Sequence, residues 1–136
     1  MPIVYLDKKV KMKNQTILLT GAISMALAVL LGAFGAHALK KILSPEMLTI
    51  YHTGVEYQFY HALGLLAVGT IGWHFPSKWI RWSGLLLTAG IILFSGSLYV
   101  LSFSGIKVLG AITPIGGISF VIGWIFLAVG VWKAED

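Results

Sequence analysis

The amino-acid sequence predicts an all-α membrane protein whose four transmembrane helices form an antiparallel bundle. Of its 136 residues, 57% are hydrophobic and only 11% are charged, whereas soluble domains contain about 25% charged residues. The chain has four apolar stretches of roughly the 20 residues that a helix needs to cross a bilayer. Lipid leaves a lone segment no way other than a helix to satisfy its backbone. The connections are short, which makes neighbouring helices antiparallel.

Span one follows a basic arm that we assign to residues 1–15, and the transmembrane domain takes up residues 16–136. We expect the arm to be a flexible tail in preference to a short interfacial helix. The arm, the apolar stretch and the sequence GAHA also resemble a secretory signal peptide. We favour a span because this stretch is longer than the core of an ordinary signal. The four predicted spans are residues 16–39, 53–75, 82–103 and 112–132.

A helix start precedes span two in the sequence LSPEM. Ser44 can cap the helix, Pro45 suits its first position, and Glu46 favours the positive end of the helix dipole. A helix over residues 45–75 would be about 46 Å long, against a hydrocarbon core of about 30 Å. We therefore expect either that its first turns lie outside the core or that it bends, most plausibly at Gly54.

The basic residues predict the orientation of the spans. The N-terminal arm, the loop between spans two and three, and the C-terminus share one side, which carries Lys8, Lys9, Lys11, Lys13, Lys78, Arg81 and Lys133. The other side carries only Lys40, Lys41 and Lys107. The excess of positive charge marks the cytoplasmic side and places both termini there. The pI of about 9.6 therefore reflects orientation and attraction to anionic lipid, and we predict no nucleic-acid binding.

Small residues recur three or four positions apart in the first and last spans. The two stripes are Gly21, Ser24, Ala28, Gly32 and Gly35 in span one, and Gly116, Ser119, Gly123 and Gly130 in span four. Such stripes let helix backbones approach closely in lipid. They predict tight packing between helices, and they also offer faces through which a homo-oligomer could form.

Polar side chains concentrate in the outer half of the predicted bundle. An ionisable group in a membrane is costly and is by default a functional candidate. At 100° per residue, His52 and Glu56 share one face of span two, and His61 lies on the opposite side. Structural explanations stay open, because Glu56 could reach headgroup water and His61 could donate to a backbone carbonyl. The candidate ligand-binding residues are His37, His52, Glu56, Tyr57, Gln58, His61 and Thr113.

Few residues could support catalysis or bind a metal. The chain has no cysteine, which excludes disulfides, thiolate metal sites and cysteine nucleophiles. The histidines and Glu56 have no metal-binding spacing such as HExxH, and the serines lack a histidine–carboxylate partner nearby in sequence. We therefore predict no metal, no cofactor and no enzymatic activity.

The sequence ITPIGGISF, at the start of span four, offers one further candidate site. Pro114 fits the first turn of a helix, and Gly116 and Gly117 leave the backbone accessible there. A helix N-terminus with free N–H groups favours anions. The alternative is that these glycines pack tightly against span one.

Four blocks of sequence resemble the small membrane family labelled domain of unknown function 423, whose eukaryotic members are similar to transmembrane protein 256. The blocks are GAFGAHALK, YHTGVEYQFYHALGLL, SGSLYVLSFSG and LGAITPIGGISFVIGW. The resemblance covers residues 16–132 and implies a four-helix integral protein of the bacterial plasma membrane. It implies no activity, although the blocks contain His37, Tyr57, Gln58, His61 and Thr113.

The function that we predict is that of a non-enzymatic structural or accessory membrane component. Its partners would be membrane lipids, a second copy of the chain or other membrane proteins. The alternative is a transporter or channel for a small solute, ion or proton, or a lipid-binding protein. In that alternative Glu56, His52 and His61 line an outward-facing polar pocket.

Overall fold

A computed structural model describes residues 7–135, except for the side chains of residues 12 and 135. These residues form helices joined by short connections, and they confirm the all-α prediction. The α-helices are α1 (Lys8–His37), α2 (Pro45–His74), α3 (Lys78–Gly90), α4 (Gly96–Ser104) and α5 (Thr113–Trp132). A π-helical segment, Ile91–Ser95, joins α3 to α4, and we call the whole of Lys78–Ser104 the third long helix. Short 3-10 turns occupy Leu39–Lys41, Lys107–Ala111 and Lys133–Glu135.

Within residues 7–135, three helical segments are long and apolar enough to cross a membrane. They are Lys8–Lys41, Lys78–Ser104 and Lys107–Trp132, which contain the first, third and fourth predicted spans. The remaining segment, α2, has 30 residues, but polar side chains in its first half lower its hydropathy.

α1 begins earlier than the predicted span. Its first residue is Lys8, and the side chain of Asp7 caps it by accepting a hydrogen bond from the backbone N–H of Lys9. Residues 8–15 therefore continue the helix of span one and do not form the separate flexible tail that we expected. No glycine or proline interrupts this stretch, so the helix can extend into it. Residues 1–6 of the predicted arm lie outside the described residues.

α2 begins where the sequence predicted. Ser44 Oγ accepts a hydrogen bond of 3.2 Å from the N–H of Met47, and Pro45 occupies the first helical position. α2 then continues through Gly54 without interruption. A Cβ atom at Gly54 would lie 2.9 Å from the ring of Tyr99. Close packing against α4 thus explains this glycine.

The small-residue stripe of span one faces α2. A Cβ atom added to Gly21 would lie 3.0 Å from Leu65, and a Cβ atom on Gly69 would lie 2.6 Å from Leu18. Nearer the chain's start, Asn14 approaches Gly72. Residue numbers rise along α1 as those of its contacts fall along α2. These glycines therefore allow close contacts between α1 and α2 within the chain.

The stripe of span four packs on the third long helix. Gly116 approaches the backbone of Phe94, Gly123 approaches Leu87, and Gly130 approaches Ile80. Our expectation that Gly116 would pack against span one is therefore wrong. Spacing alone identifies a close-packing face, but it does not identify the helix that meets it. The buried core lies among α1, α2, α3 and α5 and consists of Ile17, Leu65, Val68, Ile80, Leu87 and Phe120.

Candidate functional site

Gln58 connects three helices through its side-chain amide. It is buried on α2, with 4% of its surface exposed. Its Nε2 donates to the carbonyl of Ser24 on α1 at 2.9 Å, and its Oε1 accepts from the hydroxyl of Tyr99 on α4 at 2.7 Å. Hydrogen bonds of this kind hold helices together where water is absent.

His61 lies in an aromatic cluster between α2 and α5. Its ring stacks on Phe120 with centroids 3.4 Å apart and planes 11° apart. Its Nδ1 donates to the carbonyl of Tyr57 at 2.7 Å, which fixes the ring orientation. The ring centroid of Trp124 lies 5.9 Å from that of His61. The side chain is 6% exposed and therefore faces the protein interior.

Glu56, His52 and His37 are exposed. Glu56 Oε1 accepts a hydrogen bond of 2.6 Å from the hydroxyl of Tyr60. His37 Nδ1 donates to the carbonyl of Ala33 within its own helix at 3.1 Å. On α2, His52 and Glu56 are thus exposed whereas His61 is buried, as the opposite faces of span two predicted.

Tyr57 and Thr113 contribute to packing near the same level. The ring of Tyr57 is 38% exposed and stacks on Phe94 with centroids 4.4 Å apart. The hydroxyls of Thr113 and Ser97 are 2.7 Å apart, which ties the start of α5 to α4. The N–H groups of Ile115 and Gly116 both bond to the carbonyl of Ile112. These two N–H groups are therefore not free to bind an anion at the start of α5.

A groove of about 540 Å³ opens between α1 and the third long helix. We call it the Ser24 groove. Gln58 and Tyr99 form part of its polar lining, and Gly96 leaves open space in its wall, since a Cβ atom there meets nothing within 4 Å. Its lining residues are Thr20, Ile23, Ser24, Leu27, Leu31, Gln58, Thr88, Ile91, Ile92, Gly96 and Tyr99.

Ser24 lines the groove, and its buried hydroxyl has no hydrogen-bond partner among the described residues; the residue as a whole is 8% exposed. An unpaired hydroxyl in apolar surroundings costs about 1–3 kcal/mol. Sequence reasoning assigned Ser24 to a packing stripe, and it singled out neither Tyr99 nor Gly96 as site residues. No local pattern marks the groove, because it is formed by helices distant in sequence.

Neither Glu56, His52 nor His61, the residues of the predicted outward-facing pocket, lines any of the four best-defined cavities of the described residues. Within the same part of the chain, no three histidine or acidic side chains converge as a metal site would require. Of the seven candidate residues, only Gln58 lines the Ser24 groove.

Comparison with known proteins assigns the chain to a family. The family model described as "Protein of unknown function (DUF423)" matches residues 31–117. The chain belongs to this family. The matched region contains all seven candidate residues, and of the groove's polar lining it contains Gln58, Thr88 and Tyr99, whereas Thr20 and Ser24 precede it.

Curated relatives of this DUF423 protein are named as membrane proteins. The UPF0382 membrane protein YwdK of Bacillus subtilis is 48% identical over 85% of this chain and 95% of its own length. A UPF0382 membrane protein of Staphylococcus saprophyticus is 47% identical over 85% of this chain and 96% of its own length. The UPF0382 inner membrane protein YgdD of Escherichia coli is 40% identical over 91% of this chain and 95% of its own length. No solved structure matches the chain significantly. The chain is therefore a membrane protein of an uncharacterised family.

Proposed function

We propose that this DUF423 protein is a non-enzymatic accessory component of the membrane that binds a lipid-soluble molecule in the Ser24 groove. The observation that carries the proposal is the unpaired, buried hydroxyl of Ser24, a residue that lines a predominantly apolar groove. Binding sites for small ligands combine apolar walls with a few polar groups that fix orientation. The groove has that composition.

The polar groups of the groove define the chemistry of the ligand. The hydroxyl of Ser24 can donate a hydrogen bond. Gln58 Nε2 carries two hydrogens, and within the described residues it uses only one, on the carbonyl of Ser24. Tyr99 already donates to Gln58. The unused hydrogens of Ser24 and Gln58 are thus available as donors, and we expect an apolar molecule that carries an acceptor oxygen, such as a carbonyl.

The same proposal treats α2 as the fourth membrane-spanning helix of an antiparallel bundle. α2 packs against α1 along its length and also contacts the third long helix. Its 30 residues correspond to about 45 Å, which exceeds the hydrocarbon core of about 30 Å. The surplus length would place the polar first turns at the outer surface. Both termini then lie in the cytoplasm, in accord with the distribution of Lys and Arg.

Transport has less support than ligand binding. Glu56 and His52 are exposed, and His61 is stacked on Phe120 within the aromatic cluster. These contacts give no support to a polar pathway between the helices. The transport alternative stays a prediction from the sequence.

The test is to identify the lipids that remain bound to the purified protein. The Gly96→Leu variant should fold normally, because a Cβ atom at this position meets nothing within 4 Å. Its side chain should fill the groove and displace the ligand. The Ser24→Ala variant should retain less ligand because it lacks the donor. Mass spectrometry of organic extracts, normalised to protein, gives the amount of each apolar species.

The matched control is Gly110→Leu, since the nearest atom to a Cβ atom at Gly110 is 4.0 Å away and this residue does not line the groove. The proposal predicts a species that is present in the wild type and in the control but depleted in Gly96→Leu and Ser24→Ala. Identical lipid content in all four proteins would contradict it.

A further inference from the structure

A second cavity lies at the opposite end of the groove's helices, where α1 begins and α2 passes into α3. Its volume is about 190 Å³, several times the roughly 30 Å³ that a water molecule occupies in the liquid. It is lined by Val10, Lys13, Asn14, Pro76, Ser77, Lys78 and Arg81. We call it the basic cavity.

Three basic residues line the basic cavity. The ammonium group of Lys78 also lies 5.5 Å from the centroid of the Trp79 ring. Lys13 comes from α1, and Lys78 and Arg81 come from the first turn of α3. The described carboxylates, Asp7, Glu46 and Glu56, form no ion pair with any of the three. Gathering like charges in one concave site is unfavourable unless an anion joins them.

The backbone around the basic cavity adds to this positive potential. α3 begins at Lys78, with Ser77 as its cap, so the positive end of its dipole adjoins the cavity. Asn14 is buried, and its Nδ2 donates to the carbonyl of Gly72 at 2.7 Å. This bond fastens α1 to the end of α2 and so holds Lys13 opposite the two cations of α3. The site is therefore built by tertiary contacts.

We propose that the basic cavity binds a phosphate group carried by an anionic ligand. An arginine and two lysines around a cleft of this size supply the donors that phosphate oxygens require. Basic pockets between transmembrane helices on the cytoplasmic side accommodate anionic lipid headgroups. The phosphate could therefore belong to a phospholipid or to a soluble ion, and the chemistry of the site is the same for both.

The first arm of the test measures lipid retention by native mass spectrometry, with phosphatidylglycerol and phosphatidylcholine offered separately. Wild-type protein should retain phosphatidylglycerol preferentially. Lys13→Gln and Arg81→Gln should each lower the apparent affinity for it about fivefold, because one Lys or Arg near an anionic lipid contributes about 1 kcal/mol. Unchanged melting temperatures would show that the variants remain folded.

The matched control is Lys11→Gln, which removes the same charge from the same end of α1. Lys11 is exposed and does not line the basic cavity, so this variant should bind like the wild type. An equal loss in Lys11→Gln and Lys13→Gln would overturn the proposal, because net charge alone would then explain the binding.

The second arm distinguishes the source of the phosphate. Inorganic phosphate is titrated against the lipid-bound protein and, by calorimetry, against the delipidated protein. Binding of phosphate that depends on Lys13 and Arg81 supports a soluble ligand, whereas retention of phosphatidylglycerol at high phosphate concentration supports a lipid headgroup. If neither probe depends on these two residues, the proposal fails. The result of this test is independent of the test of the Ser24 groove, because the two sites share no lining residue.

Discussion

The close contact between Gly116 and the π-helical segment is possible only because glycine has no side chain. A Cβ atom at Gly116 would overlap the backbone of Phe94, which cannot move as a flexible side chain could. We therefore predict that Gly116→Ala lowers the free energy of unfolding by about 1–3 kcal/mol, the usual cost of overpacking. Thermal or denaturant unfolding in detergent micelles measures the change.

The neighbouring glycine supplies the control for this prediction. A Cβ atom at Gly117 would lie 3.8 Å from the ring of Phe94, an ordinary contact distance. Gly117→Ala should therefore change the free energy of unfolding by no more than about 0.5 kcal/mol. Similar effects of the two substitutions would show that the close approach at Gly116 is not as described.

At the scale of the helices, Gln58 is the polar link between α1, α2 and α4. We predict that Gln58→Leu lowers the free energy of unfolding by about 1–2 kcal/mol. It removes two interhelix bonds, each of which contributes about 0.6 kcal/mol on average in a membrane protein, and it leaves the hydroxyl of Tyr99 unpaired. Unfolding in mixed micelles provides the measurement.

Glu56→Gln serves as the control on the same helix. Glu56 is exposed, and a glutamine oxygen could still accept the hydrogen bond from Tyr60. Stability should therefore stay within about 0.5 kcal/mol of the wild type. A loss as large as that of Gln58→Leu would mean that the outer face of α2 is packed, contrary to its exposure.

The helices also show which features a sequence can predict. The start of α2 was predictable, because Ser44 and Pro45 determine it through local bonds. The π-helical segment was not, because IILFS carries no local signal for it. Its last residue, Ser95, donates to the carbonyl of Gly54 on α2 at 2.6 Å, a contact that only the packed helices provide. For the same reason the sequence predicted the close-packing faces but assigned Gly116 to the wrong helix.

For the whole molecule, the sequence located polar positions better than it located cavities. It placed Glu56 and His61 on opposite faces of α2, and the structure has one exposed and the other buried. It did not reveal the Ser24 groove or the basic cavity, whose walls come from helices far apart in the chain. From the sequence, the cations of the basic cavity predict orientation and attraction to anionic lipid, but not a site.

The absence of cysteine allows the central claim, four crossings with α2 among them, to be tested directly. Single cysteines are introduced at exposed positions by Thr49→Cys, His74→Cys, Ser104→Cys and Lys133→Cys, and intact cells are treated with a membrane-impermeant maleimide. We predict labelling of the Thr49→Cys and Ser104→Cys variants in intact cells, and of the other two only after the membrane is permeabilised. Labelling at positions 49 and 74 from the same side would show that α2 does not cross the membrane and would contradict the account.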